Sequence, residues 1–190
     1  MRMAPTRERF FSDSACTDEY IVNTETQSLL ESIDQKLAHL SIEDWNLYDR
    51  VRKFAFLVHG PDLRQDGTPY INHVLRVTER VAGNFEVRDI HTLCATLLHD
   101  AVEDHAERIA QLHLPNTSSG DARVDALSVI KDSFGEEIAS LVAPLTKPIT
   151  TKSPEQYAQY IEEEIIAHPH SGVFFIKLAD FIDNTSTIET

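Results

Sequence analysis

Apolar residues in this chain recur at three- and four-residue intervals, and that period commits the polypeptide to helices. In TETQSLLESIDQKLAHL, Leu29, Leu30, Ile33, Leu37 and Leu40 share one helical face. Ser41 with Asp44 resembles a capping box, Asp standing for the usual Glu, and opens a helix carrying Trp45, Tyr48, Val51, Phe54, Ala55 and Val58. Gly60 and Pro61 stop it. After the loop LRQDGTP, the pattern predicts helices over about 70–83 and 89–109, then a linker, PNTSSGDA, at 115–122. Further helices are predicted near 123–133 and 135–143. Ser153-Pro154-Glu155-Gln156 is a start signal, with Ser as N-cap and Pro at the first helical position, and that helix stops at HPHSG. A last helix runs from about Val173. No alternating run is long enough for a sheet, so the expectation is an all-α chain with one domain over 23–190, preceded by a loosely held arm at 1–22.

Bulk composition narrows the function. A length of 190 residues suffices for one sizeable core. The formal charge of −14 argues against a general binder of DNA, RNA or anionic membranes. It still allows a phosphate ligand where a metal and a few arginines reverse the sign locally. The two cysteines, Cys16 and Cys94, suit a reducing cytoplasm, and Cys94 in LCATLL reads as a small core residue. No apolar stretch is long enough to span a bilayer, and MRMAPTRERFFSDSA lacks the apolar segment of a signal peptide. The expectation is a cytoplasmic protein with no membrane partner; a homo-oligomer is left open.

One segment breaks the apolar rule. In LLHDAVED (97–104), two leucines announce a buried face, and His99, Asp100, Glu103 and Asp104 follow within six residues. On a continuous helix His99 stacks with Glu103 and Asp100 with Asp104, the two pairs about 100° apart on one polar edge. An imidazole beside a carboxylate offers a divalent ion two ligands from one turn. YINH adds His73 from the preceding helix, and KLADFIDN adds Asp180 and Asn184 from the last, where a charged Asp in an apolar face is costly unless paired or metal-bound. Taken singly, Asp180 reads equally as a solvated helix acid, and His73 as an ordinary histidine. The other seven histidines (39, 59, 91, 105, 113, 168 and 170) are assigned to ordinary satisfied or exposed roles. Jointly, three helices delivering His73, His99 with Asp100, and Asp180 point to a metal.

The longer strings RQDGTPYINH, TLLHDAVED, FGEEIASLV and IKLADFIDN carry a family resemblance. Over about residues 47–190 the chain resembles the HD-domain metal-dependent phosphohydrolases. Within them it is most similar to the hydrolase domain of RelA/SpoT-type enzymes and to the small alarmone hydrolases. The resemblance implies an HD-type helical bundle holding one Mn²⁺ by His73, His99, Asp100 and Asp180. It implies hydrolysis of the 3′-pyrophosphate of guanosine tetra- or pentaphosphate to GDP or GTP and pyrophosphate. Glu103 and Asp104 match the pair that positions and activates the attacking water. Arg64 matches an arginine that packs on guanine, and Asn184 and Thr187 match positions near the nucleoside.

These residue types suit that chemistry. A bound divalent ion polarises a phosphoryl oxygen and lowers the pKa of its water. A nearby carboxylate accepts or steers the proton, or orients a ligand histidine, a second role open to Glu103 towards His99. A planar guanidinium stacks well on a purine. Lys147, Lys152 and Lys177 are candidates to offset phosphate charge, although a solvated lysine is the ordinary reading of each.

The chain also departs from the family pattern. Val74 follows His73 where Pro is common, HGPDLR replaces HxGQxR, and LVAPLTKP replaces the usual VxGVTK string. An insertion covers about 105–133. Family members continue past the equivalent of Asn184 with helices that help close the nucleotide site, so a chain ending at Thr190 is expected to lack them. No synthetase domain is expected. Two alternatives stay open: another HD nucleotide phosphohydrolase, such as an NADPH 2′-phosphatase, and a catalytically silent nucleotide-sensing module.

Overall fold

The structure, a computed structural model, describes residues 22–112 and 119–186. The predicted arm at 1–22 (apart from Val22), His113, the first half of the predicted linker and Thr187 lie outside the described residues. Among the described residues the fold is all-α, as the periodicity predicts. In chain order the helices are α1 (Thr24–Lys36), α2 (Ile42–His59), α3 (Tyr70–Gly83), α4 (Ile90–Leu97), α5 (Ala101–Gln111), α6 (Ala122–Phe134), α7 (Glu136–Val142), α8 (Pro154–Tyr160) and α9 (Ser171–Ser186). A short 3₁₀ turn, Ala143–Leu145, follows α7, and a wide π-type segment, Ile161–Ile166, continues α8. None of the described helices is long and apolar enough to cross a membrane.

The start signals act locally. Ser41 accepts a hydrogen bond from the Asp44 amide and so caps α2. Asp44 does not complete the box: its carboxylate meets the Ser41 hydroxyl instead, at 3.0 Å. Asp is one methylene shorter than the Glu this motif normally uses. Ser153 and Gln156 do form the reciprocal box at α8. α6 and α7 meet at Gly135, whose φ of 107° is open to glycine and strained for other residues.

Helix α3 is the central strut. Nine of its fourteen residues are buried, and it packs against α1, α4 and α9. Val74, Leu75, Val77 and Val81 are fully buried against this surround, each worth roughly 1.5–3 kcal/mol of apolar burial. This packing puts His73 of α3 and Asp180 of α9 on facing surfaces.

One expectation is corrected. The single helix predicted over 89–109 is two helices, α4 and α5, and His99 lies in the break between them. There the backbone turns tightly, Leu98 N–H bonding to the Ala95 carbonyl and Ala101 N–H to the Leu98 carbonyl, both at 3.0 Å. His99 and Glu103 therefore do not stack one turn apart on a continuous helix. α5 is kinked again at His105, whose φ of −132° and ψ of 25° leave the helical region.

Candidate metal centre

Four donors converge where α3, the α4–α5 break and α9 meet. His73 Nε2 lies 3.3 Å from His99 Nε2 and 3.4 Å from both Asp100 Oδ2 and Asp180 Oδ1. His99 Nε2 lies 3.1 Å from Asp100 Oδ2 and 3.9 Å from Asp180 Oδ1. Donors about 2.0–2.2 Å from one ion necessarily stand roughly 3–4 Å from each other, so the set has the spacing of a divalent-ion site. Its composition, two imidazoles and two carboxylates, suits a borderline divalent metal. His73, His99 and Asp180 are buried, while Asp100 is half-buried.

The surrounding hydrogen bonds fix which ring nitrogen faces inward. His99 Nδ1 is 2.9 Å from the Thr96 carbonyl, which can only accept. Nδ1 must therefore donate, leaving the Nε2 lone pair for a ligand. This bond exists because α4 ends at Leu97 and the chain turns back on itself. His73 Nδ1 is 2.7 Å from Asp183 Oδ2, with the same consequence for its Nε2. Asp183 is buried and receives Arg76 Nε at 2.9 Å and Nη2 at 3.1 Å. Burial alone would raise the Asp183 pKa, but hydrogen bonds from His73 and Arg76 hold it well below the usual carboxylate range.

The electrostatics favour positive charge at this point. Burial opposes the charged form of His73, yet hydrogen bonds with Asp100, Asp180 and Asp183 outweigh it and raise the pKa to about 10. His99 is likewise raised against its burial, chiefly by Asp100. Asp100 is held low by His99 and His73 despite its desolvation. Asp180 is also lowered against its burial, by His73, His99 and Lys177. A proton or a divalent ion can satisfy this arrangement, and the ion requires the lone pairs that Thr96 and Asp183 turn inward.

An open cleft of about 220 Å³ adjoins the donors, lined among others by Tyr70, Glu103, Asp104, Lys147, Lys177 and Asn184. Lys147 holds Glu103 from two sides: its Nζ is 3.0 Å from Oε1, and its backbone N–H donates to Oε2 at 3.0 Å. His99 instead bonds the Thr96 carbonyl, so the alternative role left open for Glu103, support of His99, is not what the structure contains. Asp104 sits at the exposed rim, where desolvation in the cleft and the Asp100 charge raise its pKa. The Tyr70 hydroxyl is 2.7 Å from Asp100 Oδ2 and 3.1 Å from Asp104 Oδ2, bridging the two carboxylates.

On the other flank, Asn184 Nδ2 donates to Asp180 Oδ1 at 2.6 Å, and Lys177 Nζ to Asp180 Oδ2 at 2.9 Å. Arg64, 120 positions away in sequence, donates to Asn184 Oδ1 at 3.1 Å, so the predicted base-side pair is in contact. Thr187 falls outside the described residues, and Lys152 does not line the cleft.

Sequence reasoning missed Asp183 and Tyr70. Asp183 lies three residues after Asp180, on the same face of α9, so the spacing in LADFIDN carried a signal. Tyr70 lies inside RQDGTPYINH, one of the strings that carry the family resemblance, but by itself a tyrosine at a helix start reads as packing. The ordinary role assigned to His59 also needs correction. It is fully buried, and neither ring nitrogen has a hydrogen-bond partner among the described residues.

Comparisons with known proteins find relatives of this chain. A family model described as an HD domain matches residues 52–167. Asp180 lies beyond the match. An Aquifex aeolicus (strain VF5) protein named guanosine-3′,5′-bis(diphosphate) 3′-pyrophosphohydrolase is 31% identical over 163 residues, covering 85% of this chain and 20% of that protein. The Mus musculus protein named guanosine-3′,5′-bis(diphosphate) 3′-pyrophosphohydrolase MESH1 is 32% identical over 135 residues, 69% of this chain and 63% of its own length. A Mycobacterium leprae (strain TN) protein named probable GTP pyrophosphokinase is 32% identical over 147 residues, 75% of this chain and 16% of that protein. The chain thus spans between about a sixth and under two-thirds of these relatives.

Proposed function

The chain belongs to the HD-domain family, and from that premise we propose that it hydrolyses the 3′-pyrophosphate of guanosine tetra- or pentaphosphate in a Mn²⁺-dependent reaction, releasing GDP or GTP and pyrophosphate. The observation that carries the reading is the convergence of His73, His99, Asp100 and Asp180 within ligand spacing, beside a cleft containing both Glu103 and Asp104. Relatives named for this hydrolysis supply the substrate class.

A divalent ion on the four donors supplies Lewis-acid polarisation of a phosphoryl oxygen and a water of lowered pKa. The remaining work belongs to the chain. Asp104, whose carboxyl is pushed up by desolvation and by the Asp100 charge, lines the cleft as the proton acceptor. Glu103, tied down by Lys147, orients the attacking water instead of leaving its place. Tyr70 holds Asp104 and Asp100 in register through its hydroxyl. Lys147 and Lys177 set positive charge beside the cleft, offsetting that of a pyrophosphate. Arg64 and Asn184 form the nucleoside side, the arginine plane serving the guanine face.

The test is direct. Purified protein loaded with Mn²⁺ is incubated with ppGpp, and pyrophosphate release is followed, with NADPH run in parallel for phosphate release. Release from ppGpp that disappears in His99→Ala supports the reading. Release of phosphate from NADPH alone assigns the other phosphohydrolase activity. Binding of ppGpp without turnover by the metal-loaded protein assigns a sensing role.

A further inference from the structure

We propose a second divalent-cation site, separate from the four-donor centre, formed by His59, Asp62 and His105. One ligand atom from each lies within 4.8 Å of the other two. The closest pair, His105 Nε2 and Asp62 Oδ2, is 2.8 Å apart. The two imidazole rings meet edge to face with centroids 4.9 Å apart.

The chain spends conformational freedom to assemble this group. His59 ends α2, and Asp62 follows it in a tight turn closed by the Asp62 N–H to the His59 carbonyl at 3.0 Å. His105 reaches the pair from α5, at the residue where that helix leaves helical geometry. A kink in a helix has a local cause, and here it coincides with the ring that completes the cluster.

His59 is the observation that asks for a ligand. Both of its ring nitrogens are buried and lack hydrogen-bond partners among the described residues. Leaving such groups unsatisfied carries the uncompensated cost of their desolvation. Burial and the neighbouring His105 push its pKa down to about 3, so the ring is neutral and offers a lone pair. Two imidazoles and one carboxylate match a three-ligand zinc-type site that keeps a position open for water. An ion on the three donors requires His105 Nε2 and Asp62 Oδ2 to open from 2.8 Å to the roughly 3–4 Å of two donors on one ion. It also competes with Arg108, whose Nη1 is 3.8 Å from Asp62 Oδ2 and is held by the Val58 carbonyl.

The site has a route to the cleft. The His59 ring stacks on Tyr70 with centroids 5.2 Å apart and planes 17° from parallel, and Tyr70 is the bridge between Asp100 and Asp104. A cation on His59 stiffens the back of that bridge.

The experiment counts ions and does not depend on turnover. The full chain is stripped with chelator and titrated with Co²⁺ alone, following visible absorbance and bound metal. Two ions per chain are expected in the parent, one in His99→Ala, one in His105→Ala, and none in the double variant. Arg108→Gln, which retains every ligand, is expected to tighten Co²⁺ binding in the His99→Ala background. Loss of all stoichiometric Co²⁺ in His99→Ala, with helical content retained, overturns the proposal. So does a Co²⁺ count and spectrum in His105→Ala equal to the parent's. If His99→Ala fails to fold, the Arg108→Gln variant of the otherwise unaltered chain decides: unchanged affinity for the second equivalent counts against the site. Absence of ppGpp hydrolysis bears only on the catalytic reading, because the metal count is independent of it.

Discussion

His73 Nδ1 and Asp183 Oδ2 lie 2.7 Å apart, two buried groups separated by 110 positions in the chain. The carboxylate accepts a hydrogen bond from Nδ1–H and so turns the other nitrogen towards Asp100 and Asp180. A residue that is not itself a donor thereby decides whether a donor is available.

Asp183→Ala is therefore expected to weaken metal binding by roughly 10–100-fold. Asp183→Asn is expected to lose less, since its amide oxygen still accepts the Nδ1 proton. Isothermal titration with Mn²⁺ separates the two. Equal losses in both variants would mean that Asp183 acts through its charge, not by orienting the ring.

Glu103→Gln is expected to lower turnover while leaving bound metal unchanged, because Glu103 meets Lys147 and not a donor histidine. Metal analysis alongside kinetics checks this. A fall in metal content would give Glu103 a structural role at the centre.

Tyr70→Phe removes the hydroxyl shared by Asp100 and Asp104 and keeps the ring against His59. The expected result is a drop in kcat of about tenfold, the size of a lost hydrogen bond of about 1.4 kcal/mol, with KM little changed. A change confined to KM would place the hydroxyl in substrate binding.

His59 makes stability depend on pH. Its folded-state pKa, about 3, lies below the ordinary value of 6.5, so the unfolded chain binds the proton more readily. Its contribution is complete above about pH 6.5 and is lost as pH falls towards 3, on the order of a few kcal/mol over that window. Urea unfolding with chelator present, at several pH values between 7 and 4, is expected to show a shallower decline in His59→Gln than in the parent.

Metal loading should stabilise the fold, since the donors come from α3, the α4–α5 break and α9. Free Mn²⁺ at a thousand times its dissociation constant adds about 4 kcal/mol, visible as a higher Tm. His99→Ala is expected to abolish the metal-dependent part of that shift contributed by the four-donor centre.

Much of this was legible in the amino-acid order. Helix type and most boundaries follow from local spacing and from caps such as Ser153 with Gln156, which act within one turn. His73, His99, Asp100 and Asp180 stand out because charged or ligating groups inside apolar faces need a reason. The break after Leu97 was not legible. Every residue from Leu93 to Leu98 suits continued packing, and the turn is settled by how α4 and α5 dock against their neighbours.

What tertiary structure alone decided is the pairing of distant polar groups. Asp183 was a helix acid until α9 packed on α3 and presented it to His73 and Arg76. His59 and His105 were two ordinary histidines until the kink in α5 brought one to the other. Spacing along a chain reports the face of one helix, because it depends on backbone geometry within a few turns. Which two faces meet depends on the summed packing of the whole core, and no local pattern contains that sum.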